Sequence, residues 1–322
     1  MPPRTRCCAS FSARTRWRYS KGVSAVHPFA WHNGRLVASD AIALSPKQSG
    51  LLTGWGLFST LRIYQGVPFA WEDHWERLEQ DATALRISTA GLRSQAERGF
   101  AELIERNRAQ ESVARIYLIR NQGGLLNPLQ ASAGSSFPAT DLLIFTLPLR
   151  TWGATARLKL QPHGRHAAAP LAGTKTLTWA HNLVQVEAAN AEGFDDVLLL
   201  NECGEVAECT AANIYVARAG RLLTPPLSSG ALPGVSRKVL LRAAPRHGAL
   251  IEEAVLRPAD LDAADEIFIT SSTREVQPVA CIGARAIPAG PMAGRAADWL
   301  RQEIEEYLQA RLVPARPAAQ PA

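Results

Sequence analysis

A lysine between threonines (Thr174-Lys175-Thr176), a glutamate between Ala207 and Cys209 (Glu208), and a glycine-opened helix start (Gly234-Val235-Ser236) are the residues of this chain that could do chemistry together. An amine can hold an aldehyde as a Schiff base and, once displaced, carry a proton between carbon centres. A carboxylate in an apolar strand can keep a pyridine nitrogen protonated. Main-chain N–H groups at a helix start bind phosphate, and Ser271-Ser272, placed after a strand, offers a second nest of this kind. Amine, carboxylate and phosphate cradle are what a phosphorylated aldehyde cofactor needs from a protein. Taken singly, each has an ordinary reading: a solvated lysine, an outward-facing hairpin glutamate, an N-cap, and for Arg77 a surface helix arginine.

The composition bounds what kind of chain carries these groups. At 322 residues with 47% hydrophobic content it can fill two cores, which predicts two domains. The formal charge of +6 is confined to an arm: Arg4, Arg6, Arg14, Arg16, Arg18 and Lys21 all precede the first acid, Asp40, and the remainder is balanced. A nucleic-acid-binding body would spread its cations over folded elements, so none is expected. The acid-free, Arg/Ser-rich arm has transit-peptide composition and equally that of a floppy extension. Five cysteines without a C-x-x-C pair support neither a zinc knuckle nor a disulfide framework, and a reducing cytoplasm is expected. No run is long and apolar enough to predict a membrane partner. His163 and His166 lack companions for a metal and read as loop histidines.

The elements that must position these groups follow from pattern. Ala30 to Val37 reads as a hairpin around Asn33-Gly34, and Gly54 to Tyr64 as a strand closed by the turn Gln65-Gly66, giving an antiparallel meander. Asp73 and Glu76 are spaced as a capping pair, which places Arg77 in the first turn of a helix carrying Trp75, Leu78, Ala82 and Leu85. A helix over Gln95 to Asn107 and strands over Val113 to Arg120 and Asp141 to Leu147 follow. Pro148 and Gly153 mark a boundary. Beyond it come a strand at Ala156 to Leu160, a helix from Trp179 to Glu192 ended by Gly193, and a hairpin of Val197 to Leu200 with Ala212 to Ala217, Glu208 standing where its second strand begins. Ala219-Gly220 turns into Arg221 to Leu223. A helix over Ser236 to His247, a strand at Glu266 to Ile269 and a last helix through Ala296, Leu300, Ile304 and Leu308 complete the pattern.

In this order the motifs resemble the fold-type IV pyridoxal-phosphate enzymes, the class IV aminotransferases, which include branched-chain aminotransferases, D-amino-acid transaminases and aminodeoxychorismate lyases. The resemblance runs from about Asn33 to Val279. It is carried by Lys175-Thr176-Leu177, Gly204-Glu205-Val206-Ala207-Glu208, Ala212-Asn213-Ile214, Thr224-Pro225-Pro226 and Ala231-Leu232-Pro233-Gly234-Val235-Ser236-Arg237. It implies pyridoxal 5'-phosphate as cofactor, Lys175 as the Schiff-base lysine, Glu208 as the pyridinium partner and Arg77, in His74-Trp75-Glu76-Arg77-Leu78, on the phosphate. Val235 and Ser236 match one phosphate loop, Ser271 and Ser272 the other.

The implied architecture is α/β (α+β): a disordered arm at 1–27, a smaller N-terminal α/β domain at 28–147, a linker at 148–155, a larger cofactor-binding domain at 156–312 and a disordered tail at 313–322. The resemblance also implies that the cofactor lies between the domains and that the enzyme is a homodimer. Two departures concern the substrate side. Gly54-Trp55-Gly56-Leu57-Phe58-Ser59 lacks the aspartate and glutamate that the family commonly shows, and Trp179 stands where a tyrosine is usual; Trp offers only an N–H donor. Phe58 and Trp179 are thus expected to face substrate, with Arg115 and Arg120 as candidates for gripping its carboxylate or, equally, as surface-paired strand arginines. The expected reaction moves an amino group between a branched-chain-like or D-amino acid and a 2-oxo acid. The alternatives are an aminodeoxychorismate lyase releasing pyruvate and a catalytically silent cofactor-binding protein.

Overall fold

The computed structural model describes residues 26–45, 48–121 and 138–312. Apart from residues 26 and 27, the arm expected to be disordered lies outside the described residues, as does the tail 313–322.

The first half builds one antiparallel sheet. Strands β1 (Phe29–His32) and β2 (Arg35–Ala38) are joined through Asn33 and Gly34, both with positive φ, as a two-residue hairpin requires. A short helix α1 (Ser49–Thr53) leads into β3 (Gly56–Tyr64), which turns into β4 (Val67–Pro68). Helices α2 (Trp71–Ala84) and α3 (Leu92–Asn107) precede β5 (Ser112–Arg120) and β6 (Thr140–Leu147), and the strand order is β2-β1-β6-β5-β3-β4. Leu57, Leu61 and Ile63 of β3 pack with Trp75 and Leu78 of α2 and Phe100 and Leu103 of α3 in one core.

Helix α2 starts three residues earlier than its charge pattern suggested. Its N-cap is Ala70, in the left-handed region, with no side-chain cap; the Trp71 N–H donates instead to the Tyr307 hydroxyl at 3.0 Å. Asp73 and Glu76 therefore cap nothing. They meet the Lys238 ammonium at 2.8 and 2.7 Å, pairs exposed enough to be worth about 1 kcal/mol or less each. Arg77 consequently falls in the second turn. While Trp71, Trp75, Leu78 and Ala82 fill the core, His74, Arg77 and Asp81 recur at i, i+3 and i+7 as a buried polar stripe.

The second half runs β7 (Ala156–Gln161), α4 (Ala180–Ala191), β8 (Asp196–Leu200), β9 (Val206–Cys209), β10 (Asn213–Arg218), β11 (Arg221–Thr224) and α5 (Val235–Ala243). It continues with β12 (Ile251–Glu253), α6 (Pro258–Asp262), β13 (Glu266–Ser271), β14 (Glu275–Ile282), β15 (Arg285–Ala286) and α7 (Met292–Leu312). The sheet order is β12-β11-β10-β13-β14-β7-β8-β9, with β15 paired to β14. Its pairings are mixed, β14, β7 and β8 running parallel.

The expected hairpin of Val197 to Leu200 with Ala212 to Ala217 does not form. Strand β8 pairs with β9, Leu199 opposite Glu208, whereas β10 pairs with β11 and β13. The end of β9 meets the start of β10 through the main-chain bond from the Cys209 N–H to the Ala212 carbonyl, 2.8 Å. Glu208 thus lies inside a strand buried along its whole length.

Helices α5 and α7 cover one face of this sheet over Tyr215 and Phe268, and Phe69 and Ala70 of the first half join that core. The entry to α2 is thereby fixed on the second half.

Candidate active site

The two sheets enclose a cavity of about 990 Å³, lined among others by Phe58, Arg77, Arg115, Lys175, Trp179 and Glu208. Lys175 comes from an irregular segment stitched to β3: its carbonyl accepts from the Phe58 N–H at 3.0 Å, and the Leu177 N–H donates to the Gly56 carbonyl at 2.9 Å. Gly56 permits this approach, because a Cβ there would fall 2.7 Å from the Leu118 carbonyl oxygen and 2.5 Å from Leu177. The Lys175 N–H donates to Asp81 Oδ2 at 3.2 Å. Its ammonium stands 4.6 Å from the centroid of the Phe58 ring. Burial, and next the nearby Arg77 charge, push its pKa down to about 8, although Glu208 and Asp81 oppose the shift.

Glu208 is 5% exposed. One carboxylate oxygen pairs with the Arg165 guanidinium, and the other accepts from the Leu232 N–H at 3.0 Å and the Asn213 amide at 3.4 Å. Burial raises its pKa, while Arg165, the Leu232 N–H and Lys175 pull it back toward the ionised form. Neither Arg165 nor Asn213 was singled out from sequence. Arg165 lies between His163 and His166 in what read as a plain loop, and Asn213 was legible only as part of a motif.

At the other end, Arg77 donates to the Ser59 hydroxyl at 2.7 Å and to the Pro233 carbonyl at 3.5 Å, and its Nε has no partner among the described residues. The same hydroxyl meets His74 Nδ1 at 2.8 Å. Burial first, then Arg77 and Lys175, hold His74 well below the usual imidazole range, so it is neutral. Gly234 is the N-cap of α5 and brings no side-chain cap; a Cβ there would lie 2.0 Å from Asn213 Oδ1. The first N–H groups of the helix, beginning with Val235 and Ser236, are open at the cavity beside Ser271 and Ser272.

On the remaining wall, Phe58 stacks on Tyr117 (5.6 Å between centroids) and meets the edge of Trp179 (6.2 Å). Arg115 lies 5.9 Å over Phe58 and donates to the Tyr117 hydroxyl at 3.3 Å. Arg120 is not among the lining residues: its guanidinium lies 4.0 Å over Trp55, whose indole N–H donates to the Leu85 carbonyl. Among the described residues, no three His, Cys, Asp or Glu side chains gather as a metal site.

The sequence model of the family "Amino-transferase class IV" matches residues 56–282. The chain belongs to this family. Among relatives of this class IV aminotransferase, the D-alanine aminotransferase of Bacillus licheniformis is 28% identical over 265 residues, which cover 80% of this chain and 89% of that protein. The branched-chain-amino-acid aminotransferase of Escherichia coli K12 is 25% identical over 267 residues, 78% of this chain and 84% of the other. The crystal structure of a branched-chain aminotransferase from Thermoproteus uzoniensis, determined with norvaline, superposes with a TM-score of 0.77 at 25% identity, covering 88% of this chain and 97% of that one. The fold is therefore that of the fold-type IV enzymes, and the cofactor is pyridoxal 5'-phosphate.

The site of this aminotransferase fits that cofactor. A buried guanidinium that, among the described residues, has no carboxylate within ion-pair distance and no partner for its Nε, next to an uncapped helix start, suits a phosphate. The buried Glu208, already held by a cation and an N–H, suits a protonated ring nitrogen.

Proposed function

We propose that this enzyme moves an amino group between a branched-chain or D-amino acid and a 2-oxo acid by a ping-pong route. The names of its relatives support that substrate range. The observation that carries the residue assignment is that Lys175, Glu208 and Arg77, from three separate elements, line one cavity in which the lysine amine is pushed down to about 8.

When bound, pyridoxal phosphate supplies the electron sink for breaking the substrate's α C–H bond. Lys175 would hold the cofactor at its aldehyde carbon and would take and return the α-proton, which an amine half neutral near pH 8 can accept. Glu208 would hold the ring-nitrogen proton, and the Arg165 guanidinium opposes the burial that favours the neutral carboxyl. Arg77, the Val235 and Ser236 N–H groups and the Ser271-Ser272 turn hold the phosphate. Phe58 and Trp179 form an apolar wall that excludes water from the amine. Arg115, whose one side-chain hydrogen bond among the described residues goes to a hydroxyl, grips the substrate carboxylate; Arg120, spent on Trp55, does not contribute from this chain's own cavity wall.

We further infer a division into an N-terminal domain at 28–147, a linker at 148–155 and a larger domain at 156–312, in a cytoplasmic homodimer. Free Cys203, Cys209 and Cys281 support a reducing compartment, and the exposed Leu51, Leu52, Leu183 and Val184 are apolar surface that a second copy would cover.

Lys175→Ala tests the assignment. The purified variant should lack the reducible visible absorbance of the lysine-bound cofactor, and a variant that keeps it would overturn Lys175's role.

A further inference from the structure

Helix α2 brings a third buried group to the lysine, and nothing in the cofactor's needs accounts for it. Asp81 is 4% exposed and lies one turn beyond Arg77. Its one side-chain hydrogen bond among the described residues is the 3.2 Å bond from the Lys175 N–H, and no cation comes within ion-pair distance. A buried carboxylate so sparsely bonded is costly unless neighbouring charge offsets it.

Two effects offset the cost. The first is mechanical. The Lys175 carbonyl is held by the Phe58 N–H of β3, and Leu177 by the Gly56 carbonyl, but the Lys175 N–H has no strand partner and would be left unpaired without Asp81. The main chain at the lysine is thus pinned on one side by β3 and on the other by α2. The second is electrostatic. Facing the Lys175 amine are the cations Arg77 on α2 and Arg115 on β5, and the anions Glu208 on β9 and Asp81 on α2. Glu208 is already engaged by Arg165, and His74 on α2 is neutral, so Asp81 is the larger of the two negative charges that counter Arg77.

We propose that Asp81 is a positioning residue for Lys175, tying the lysine's main chain to α2 and placing a compensating negative charge among the cations that surround its amine. This rests on the reading of Lys175 as the cofactor-anchoring lysine. Burial raises the Asp81 carboxyl pKa, and the Arg77 charge, the bond from the Lys175 N–H and the Lys175 charge oppose that rise.

Competitive labelling of the cofactor-free full chain with acetic anhydride across pH, with Lys175 followed by mass spectrometry, tests this without requiring activity. Asp81→Asn keeps an acceptor for the N–H and removes the charge. Losing a nearby negative charge disfavours the ammonium, so the Lys175 titration should move down by about half a pH unit or more, with the melting temperature close to wild type. Asp81→Ala removes both features and should add a loss of thermal stability. Should the Asn variant not fold, Asp81→Ser, smaller and still an acceptor, takes its place. A Lys175 titration unchanged in the charge-removing variants would overturn the proposal. In a parallel arm, pyridoxal phosphate is added to the wild-type chain: absence of visible absorbance there would defeat the cofactor assignment of Lys175, while the labelling result on Asp81 would still be read.

Discussion

The guanidinium of Arg165 pairs with the carboxylate of Glu208, 18% and 7% of the two side chains remaining exposed. Burial pushes Glu208 toward its neutral form, and the arginine's charge opposes that shift. Arg165→Gln should cost about 2 kcal/mol of stability, below the range for fully buried pairs because the arginine is partly exposed. It should also weaken cofactor binding about tenfold or more. Thermal unfolding and titration of cofactor into the cofactor-free chain measure both, and wild-type affinity in the variant would contradict this role.

Arg77 is the buried cation at the opposite end, oriented by Ser59 and through it by neutral His74. Charge-assisted hydrogen bonds are worth about 1.5–3 kcal/mol, so Arg77→Gln should lower cofactor affinity about 10- to 100-fold. Ser59→Ala, which frees the guanidinium from one contact, should lower it less. Equilibrium dialysis distinguishes the two, and equal losses would show that orientation matters as much as charge.

The Lys175 amine captures an aldehyde only when neutral. Because burial holds its pKa near 8, the rate of cofactor capture by the cofactor-free chain should rise with pH and level off just above 8. Stopped-flow absorbance across pH checks this. A rate still climbing toward the ordinary lysine value of about 10.4 would mean the amine is not depressed.

Gly234→Ala places a methyl where Asn213 Oδ1 now stands, 2.0 Å away, and Asn213 also bonds the Leu232 carbonyl and Glu208. Overpacking of this kind costs about 1–3 kcal/mol, and the displaced amide would loosen both the phosphate cradle and the carboxylate. Calorimetry and cofactor titration on the variant should both register the change.

Much of this was legible in the sequence because chemistry-bearing residues cluster in motifs whose types are restrictive: Lys175, Glu208 and the Gly234 to Ser236 helix start all line the cavity. What was not legible depended on partners distant along the chain. Periodicity identified α2, but whether Asp73 and Glu76 cap it or reach α5 depends on a tyrosine more than two hundred residues away. The polar stripe of His74, Arg77 and Asp81 looks like a solvated face until β3 and the lysine segment cover it. Strand β14 was unread because Pro278 interrupts it, and the β8 to β9 pairing because four short apolar strands in succession admit more than one register.

The central claim is a complete half-reaction at this site. Purified enzyme loaded with pyridoxal phosphate should lose the visible absorbance of the lysine-bound cofactor when given a branched-chain or D-amino acid alone, pass to the pyridoxamine form, and recover when a 2-oxo acid is added. A spectrum indifferent to every amino acid in such a panel, or conversion only of aminodeoxychorismate with release of pyruvate, would contradict it.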